Sequence, residues 1–117
     1  MGSVIDGIEQ VDPEEAATLI GQGAFLLDVR EDDEWAAGHA PGATHVPMNT
    51  VPDAHAGVLP RDNRIVVVCR SGGRSQRVAQ FLQQSGYDAA NLAGGMKSWH
   101  ATGRAVVTDA GDDGQVI

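Results

Sequence analysis

The chain has 117 residues, 42% of them hydrophobic and 21% charged, with a formal net charge of −8. This is enough apolar material for one compact domain and is not the composition of a disordered chain. So negative a charge argues against nucleic acid or an anionic membrane as partner, and apolar runs such as Ile65–Val68 are far too short to span a bilayer.

Residues 1–7 lack the basic start and apolar stretch of a signal peptide and are expected to be a short N-terminal extension, in a cytoplasmic protein. A helix should begin at Asp12-Pro13-Glu14-Glu15. Asp12 can cap, Pro13 suits the first helical position, and Glu15 completes a capping box. Gly21 or Gly23 should end it. The run Ala24-Phe25-Leu26-Leu27, closed by Asp28, reads as a strand buried on both sides. Residues 31–37 read as a short helix with an acidic start, stopped by Gly38.

Between residues 40 and 60 four prolines break the chain into a brief strand near His45-Val46 and a short helix or loop. Ile65-Val66-Val67-Val68 is the clearest strand, and residues 75–85 the clearest helix, with Val78, Ala79, Phe81 and Leu82 facing inward. A weaker strand over residues 89–92 precedes Gly94-Gly95 and a last helix over residues 96–101. Residues 108–117, acidic and glycine-rich, should form a flexible tail behind a single domain over residues 8–107. Strands alternating with helices predict an α/β fold, a mainly parallel sheet with helices on both faces.

Cys69 is the only cysteine, which rules out an internal disulfide and fits a reducing compartment. One cysteine and four scattered histidines show no zinc spacing, so no metal is expected. The segment Cys69-Arg70-Ser71-Gly72-Gly73-Arg74-Ser75 lies between the best strand and the best helix. Ligands of open α/β sheets collect at such strand ends. No Asp or Glu occurs between Asn63 and Tyr87, whereas Arg64, Arg70, Arg74 and Arg77 all fall there. Loop amides, a helix N-terminus and arginines each lower a thiol's pKa, and the thiolate is the nucleophile.

Gly72 and Gly73 let the loop curl and turn its N–H groups inward, making a cradle for an anion or an anionic sulfur. Arg74 can grip an oxyanion with two parallel hydrogen bonds, Arg70 adds field at the rim, and Ser75 is expected as the N-cap. A lone cysteine at a strand end is otherwise a small buried hydrophobe. Four residues separate Cys69 from Arg74, whereas cysteine-dependent phosphatases use a C-x5-R loop, so sulfur transfer is favoured over phosphoester hydrolysis.

The Cys69-to-Ser75 segment resembles the six-residue active-site loop of single-domain rhodaneses. Asp28-Val29-Arg30 is similar to that family's D-x-R. Glu34-Trp35 with Gly38-His39-Ala40-Pro41-Gly42-Ala43 and Pro47 is similar to its E-[FW]…G-H-x-P-G-A…P motif. Leu92 and Gly94-Gly95 with Trp99 and Gly103 resemble its C-terminal G-G…W…G motif. The resemblance implies a sulfurtransferase that takes sulfane sulfur from a donor such as thiosulfate, holds it as a persulfide on Cys69, and passes it to cyanide or a thiol. The amides of residues 70–74, from Arg70 and Ser71 through Gly72 and Gly73 to Arg74, would stabilise the anionic sulfur, and Arg70 and Arg74 would orient the donor. It implies no cofactor, with a small anionic donor, a thiol acceptor or a sulfur-relay protein as partners.

The alternative is a sulfur carrier that accepts persulfide from a partner and does not turn over alone. Asp28 and Arg30 are expected to make hydrogen bonds or an ion pair near the loop, His39 to make structural hydrogen bonds, and Trp35 and Trp99 to pack. The basic position that some two-domain thiosulfate sulfurtransferases place after D-x-R falls here at Glu34. The C-G-S-G-V-T loop of mercaptopyruvate-specific enzymes is absent.

Overall fold

The computed structural model describes residues 3–117; Met1 and Gly2, part of the expected extension, lie outside the described residues. In chain order the elements are β1 (Ser3–Ile5), β2 (Ile8–Val11), α1 (Pro13–Gly21), β3 (Phe25–Asp28), α2 (Asp32–Ala37), β4 (Thr44–His45), a 3₁₀ turn (Met48–Thr50), α3 (Val51–Val58), β5 (Ile65–Val68), α4 (Gly73–Gln84), β6 (Ala89–Leu92) and α5 (Gly95–Ala101). The six strands form one sheet in the order β1-β2-β6-β5-β3-β4. Every neighbouring pair is parallel except β1 and β2. The fold is the expected α/β architecture.

Local chemistry accounts for most boundaries. Asp12 accepts the Glu15 amide at 2.8 Å and α1 carries the expected capping box. At the start of α2 the Glu34 carboxylate accepts the Glu31 amide at 3.0 Å. The all-β-branched β5 is buried along its whole length and pairs with β3 and β6 on either side. Its side chains alternate between faces. Ile65, Val67 and Cys69 pack with Val78, Ala79 and Leu82 of α4 and Val51 of α3. Val66 and Val68 pack with Ala16 of α1 and with Met96 and Trp99 of α5. The sheet thus carries a core on each face, and Cys69 belongs to the α4 side.

Two segments differ from the sequence reading. Ser3–Ile5 is a strand, joined to β2 through Asp6 and Gly7, both at positive φ (49° and 79°). A two-residue turn of that kind is a standard hairpin connection, and Asp-Gly is its strongest sequence signal. Residues 108–117, expected as a flexible tail, lie against the body of the domain. His39 and Val107 exchange backbone hydrogen bonds at 2.9 Å, and the Gln115 amide donates to the Ala37 carbonyl at 2.8 Å. A Cβ on Gly38 would lie 2.6 Å from the Gln115 nitrogen, so the missing side chain is what admits this segment. No described helix is long and apolar enough to cross a membrane.

Candidate active site

Cys69 follows the last residue of β5, its side chain in the α4-side core and only 1% exposed. Gly72 caps α4 at φ 109°, a left-handed conformation that glycine adopts at little cost. That curl aims the Gly72 amide at the Cys69 sulfur, 3.0 Å away. The helix begins at Gly73, two residues earlier than expected, so Ser75 is not the N-cap. It sits in the first turn, fully buried, with its hydroxyl 3.2 Å from the same sulfur. The cap falls instead on Gly72, which has no side chain to occupy the first-turn amides.

The other side of the loop is held by α5. The amides of Met96 and Lys97 donate to the carbonyls of Cys69 and Arg70 at 2.8 and 3.0 Å. In a trans peptide the N–H points opposite the C=O, so the amides of Arg70 and Ser71 face away from α5. This approach requires Gly95: its φ is +60°, and a Cβ there would lie 2.5 Å from the Arg70 carbonyl carbon. Burial pushes the Cys69 thiol up. The Ser75 hydroxyl and the amides of Ser75, Gly72 and Ser71 more than offset that, leaving its pKa below the ordinary thiol value.

Of the two loop arginines, Arg74 was expected to grip an oxyanion and Arg70 to add field at the rim. Arg74 makes the two parallel hydrogen bonds anticipated, but to Glu34: Nη1 to Oε1 at 2.7 Å and Nη2 to Oε2 at 2.9 Å. The Arg74 guanidinium holds the Glu34 carboxyl down at about 2 against the opposing effect of burial. The side chain that replaces the basic position of some two-domain enzymes therefore neutralises an arginine of the loop. Arg70 is exposed, its Nε donating to the Ile117 carbonyl at 3.0 Å. Ser71, Gly72 and Gly73 line a groove of about 510 Å³ with Gln76, Arg77 and Gly94.

Asp28 and Arg30 form a fully buried ion pair, Oδ2 to Nη2 at 2.8 Å, and Arg30 also donates to the Gly38 carbonyl at 2.7 Å. They brace the turn from β3 into α2. His39 stacks on Trp35 with ring centroids 3.5 Å apart and bonds to the Trp35 carbonyl through Nδ1 at 2.8 Å. Trp99 is buried, its Nε1 donating to the Ala105 carbonyl. All five residues, Asp28, Arg30, Trp35, His39 and Trp99, make packing or hydrogen-bond contacts of the structural kind expected of them. The sequence reading missed a polar chain behind the sulfur: Ser75 Oγ lies 2.6 Å from Asn91 Oδ1, and Asn91 Nδ2 donates to Gln10 Oε1 at 2.9 Å. An asparagine in the otherwise apolar, fully buried β6 was its one available signal.

The sequence profile of the rhodanese-like domain matches residues 12–102. The chain belongs to the rhodanese-like domain family. A sulfurtransferase of Allochromatium vinosum is 32% identical over 107 residues, covering 89% of this chain and 99% of its own. The Bacillus subtilis protein YtwF, whose name carries a provisional sulfurtransferase label, is 41% identical over 75 residues, 64% of this chain and 72% of its own. Among solved structures, a rhodanese-related protein from Thermoplasma volcanium superposes with a TM-score of 0.80 at 28% identity, covering 86% of this chain and 98% of that one. The match contains Cys69 and the whole loop, together with Glu34 and Asn91. Gln10, by contrast, precedes the matched residues.

Proposed function

We propose that this rhodanese-like domain moves sulfane sulfur from a donor such as thiosulfate to cyanide or a thiol through a persulfide on Cys69. Its family and the two relatives named for sulfur transfer support a sulfurtransferase-type role. The observation that carries the finer reading is the sulfur itself, ending a strand, bonded by the Gly72 amide and beside the Ser75 hydroxyl, with a lowered pKa despite burial.

The Cys69 thiolate attacks the outer sulfur of thiosulfate, forming an S–S bond while sulfite leaves with the electron pair of the bond that breaks. The loop amides and the first turn of α4 stabilise negative charge on the bound sulfur, as an oxyanion hole stabilises oxygen. Cyanide or an acceptor thiolate then attacks the outer sulfur. The S–S bond breaks and its electrons return to Cys69 as thiolate. No step requires a metal or an organic cofactor.

The donor is a small anion, and the acceptor is a thiol or a sulfur-relay protein reaching the groove beside residues 71–73. The substrate-binding set of the loop is Arg70, Ser71, Gly72, Gly73 and Arg74. Within it the backbone amides contact the transferred sulfur, Arg70 meets the donor at the rim, and Arg74 acts through its bond to Glu34.

The test is intact-protein mass spectrometry after incubation with thiosulfate, paired with thiocyanate formation in the presence of cyanide. The expected result is a gain of about 32 Da that dithiothreitol reverses and that Cys69→Ser lacks, since the thiolate is the nucleophile. Adduct formation from a protein persulfide without thiocyanate turnover would replace the enzyme reading with the carrier reading. The absence of any adduct across a panel of donors would sink both.

A further inference from the structure

Ser75 has one hydroxyl proton and two acceptors within reach, Cys69 Sγ at 3.2 Å and Asn91 Oδ1 at 2.6 Å. A hydroxyl donates one hydrogen bond, so the two acceptors compete. Which way Asn91 faces is decided by groups that can only accept. Its Nδ2 reaches the Gly72 carbonyl at 3.2 Å and Gln10 Oε1 at 2.9 Å. Gln10 is turned by the Ile8 carbonyl, to which its Nε2 donates at 3.1 Å, and by Gln76 Oε1 at 2.7 Å. Gln76 is turned in its turn by the Ile5 carbonyl, 2.9 Å from its Nε2. Three backbone carbonyls thus orient three amides in series, and Asn91 is left with its oxygen toward Ser75.

We infer that Asn91 is a positioning residue that competes with the Cys69 sulfur for the Ser75 hydroxyl proton and thereby sets the pH at which Cys69 becomes a nucleophile. With Cys69 as a thiol, its S–H donates to Ser75 Oγ and the Ser75 hydroxyl donates to Asn91, so every group is satisfied. When the thiol ionises, its proton passes to solvent and the Ser75 hydroxyl rotates from Asn91 to the sulfur. Asn91 then faces a bare oxygen lone pair. It cannot turn over without setting its own oxygen against the Gly72 carbonyl and Gln10 Oε1. Asn91 therefore favours the thiol, and the loop amides favour the thiolate.

The charged groups on the elements next to the sulfur are Arg70 in the loop, Arg74 paired with Glu34, Arg77 on α4, the Asp28–Arg30 pair at the end of β3, and exposed Lys97 on α5. On the β6 and β2 side the neutral amides of Asn91 and Gln10 stand behind Ser75, and the charged residues of the groove they line are Asp6 and Arg77. Asn91 and Gln10 themselves act on the sulfur through hydrogen-bond direction and carry no charge.

The inference rests on Cys69 as the working nucleophile, and its test needs no sulfur donor, so it fails separately from the sulfur-transfer reading. The readout is the iodoacetamide alkylation rate of Cys69 against pH, whose midpoint reports the thiol. Asn91→Ala should lower that midpoint by about one pH unit, the size of one hydrogen bond to a charged group. Ser75→Ala should raise it, and adding Asn91→Ala to Ser75→Ala should leave it in place, because the competition acts through the hydroxyl.

Loosening of the loop through the lost Gly72 contact would persist without Ser75, and the double variant separates the two. If Asn91→Ala does not fold, Asn91→Val carries the series, its β-branched side chain being suited to a strand. In the unaltered protein, the side-chain amide signals of Asn91 in nuclear magnetic resonance spectra should titrate with the Cys69 midpoint. A midpoint unmoved by Asn91 substitution, an equal shift in the Ser75→Ala background, or Asn91 signals indifferent to Cys69 ionisation would each overturn the proposal.

Discussion

Arg74 and Glu34 make a two-bond ion pair at the loop, and their coupling is measurable. Glu34 titrates at about 2 in the folded chain because Arg74 pairs with it, against 4.5 as the ordinary value. A depressed carboxylate stabilises the fold above its unfolded pKa and loses that contribution as pH falls through the folded one. Glu34→Gln should therefore cost on the order of 1–2 kcal/mol near neutral pH, after allowing for partial exposure of the pair. The deficit should shrink between about pH 4.5 and about pH 2, as read by chemical denaturation. An unchanged deficit across that range would mean that the pair contributes nothing through its charge. A second residue-scale prediction concerns Gly95. Gly95→Ala forces a Cβ against the Arg70 carbonyl at positive φ, so it should cost about 2 kcal/mol or more and raise the Cys69 alkylation midpoint by displacing the loop. A variant with unaltered stability and midpoint would show that α5 does not shape the cradle.

At the scale of elements, β5 and α4 do most to place the sulfur, since Cys69 continues one and the first turn of the other closes over it. Leu82 of α4 is fully buried against β5-side residues. Leu82→Ala should cost about 3 kcal/mol by thermal or chemical denaturation, within the range for emptied core positions. Both elements were legible from β-branched content and apolar spacing, as was the capped start of α1. Their legibility has a shared cause: the information lies within one turn or one strand. The exact start of α4 was not legible, because two glycines make poor local signals and the choice between Gly72 and Ser75 as cap depends on where the loop is held by α5. The β1–β2 hairpin was legible in principle from Asp6-Gly7 flanked by apolar residues, although the short first strand offers little pattern on its own.

For the whole molecule the decisive quantity is the distribution of charge. A net charge of −8 repels a dianionic donor at long range, and Glu34 neutralises one of the loop's arginines. The second-order rate of persulfide formation from thiosulfate should thus rise as salt screens the repulsion, over ionic strengths from about 0.01 to 0.2 M. A falling rate would show instead that Arg70 and its neighbours steer the donor locally. The sequence by itself determined the class of fold, the strand–loop–helix position of Cys69 and the contiguous set of loop amides, because each is a matter of neighbours along the chain. Only the tertiary structure decided that Arg74 serves Glu34, that Ser75 faces the sulfur, and that Asn91 and Gln10 stand behind it. Glu34 is 40 residues from Arg74 and Gln10 is 81 from Asn91, and such pairs meet only through strand order and packing. Hydrogen bonds and ion pairs depend on distances of about 3 Å, which local sequence pattern does not encode.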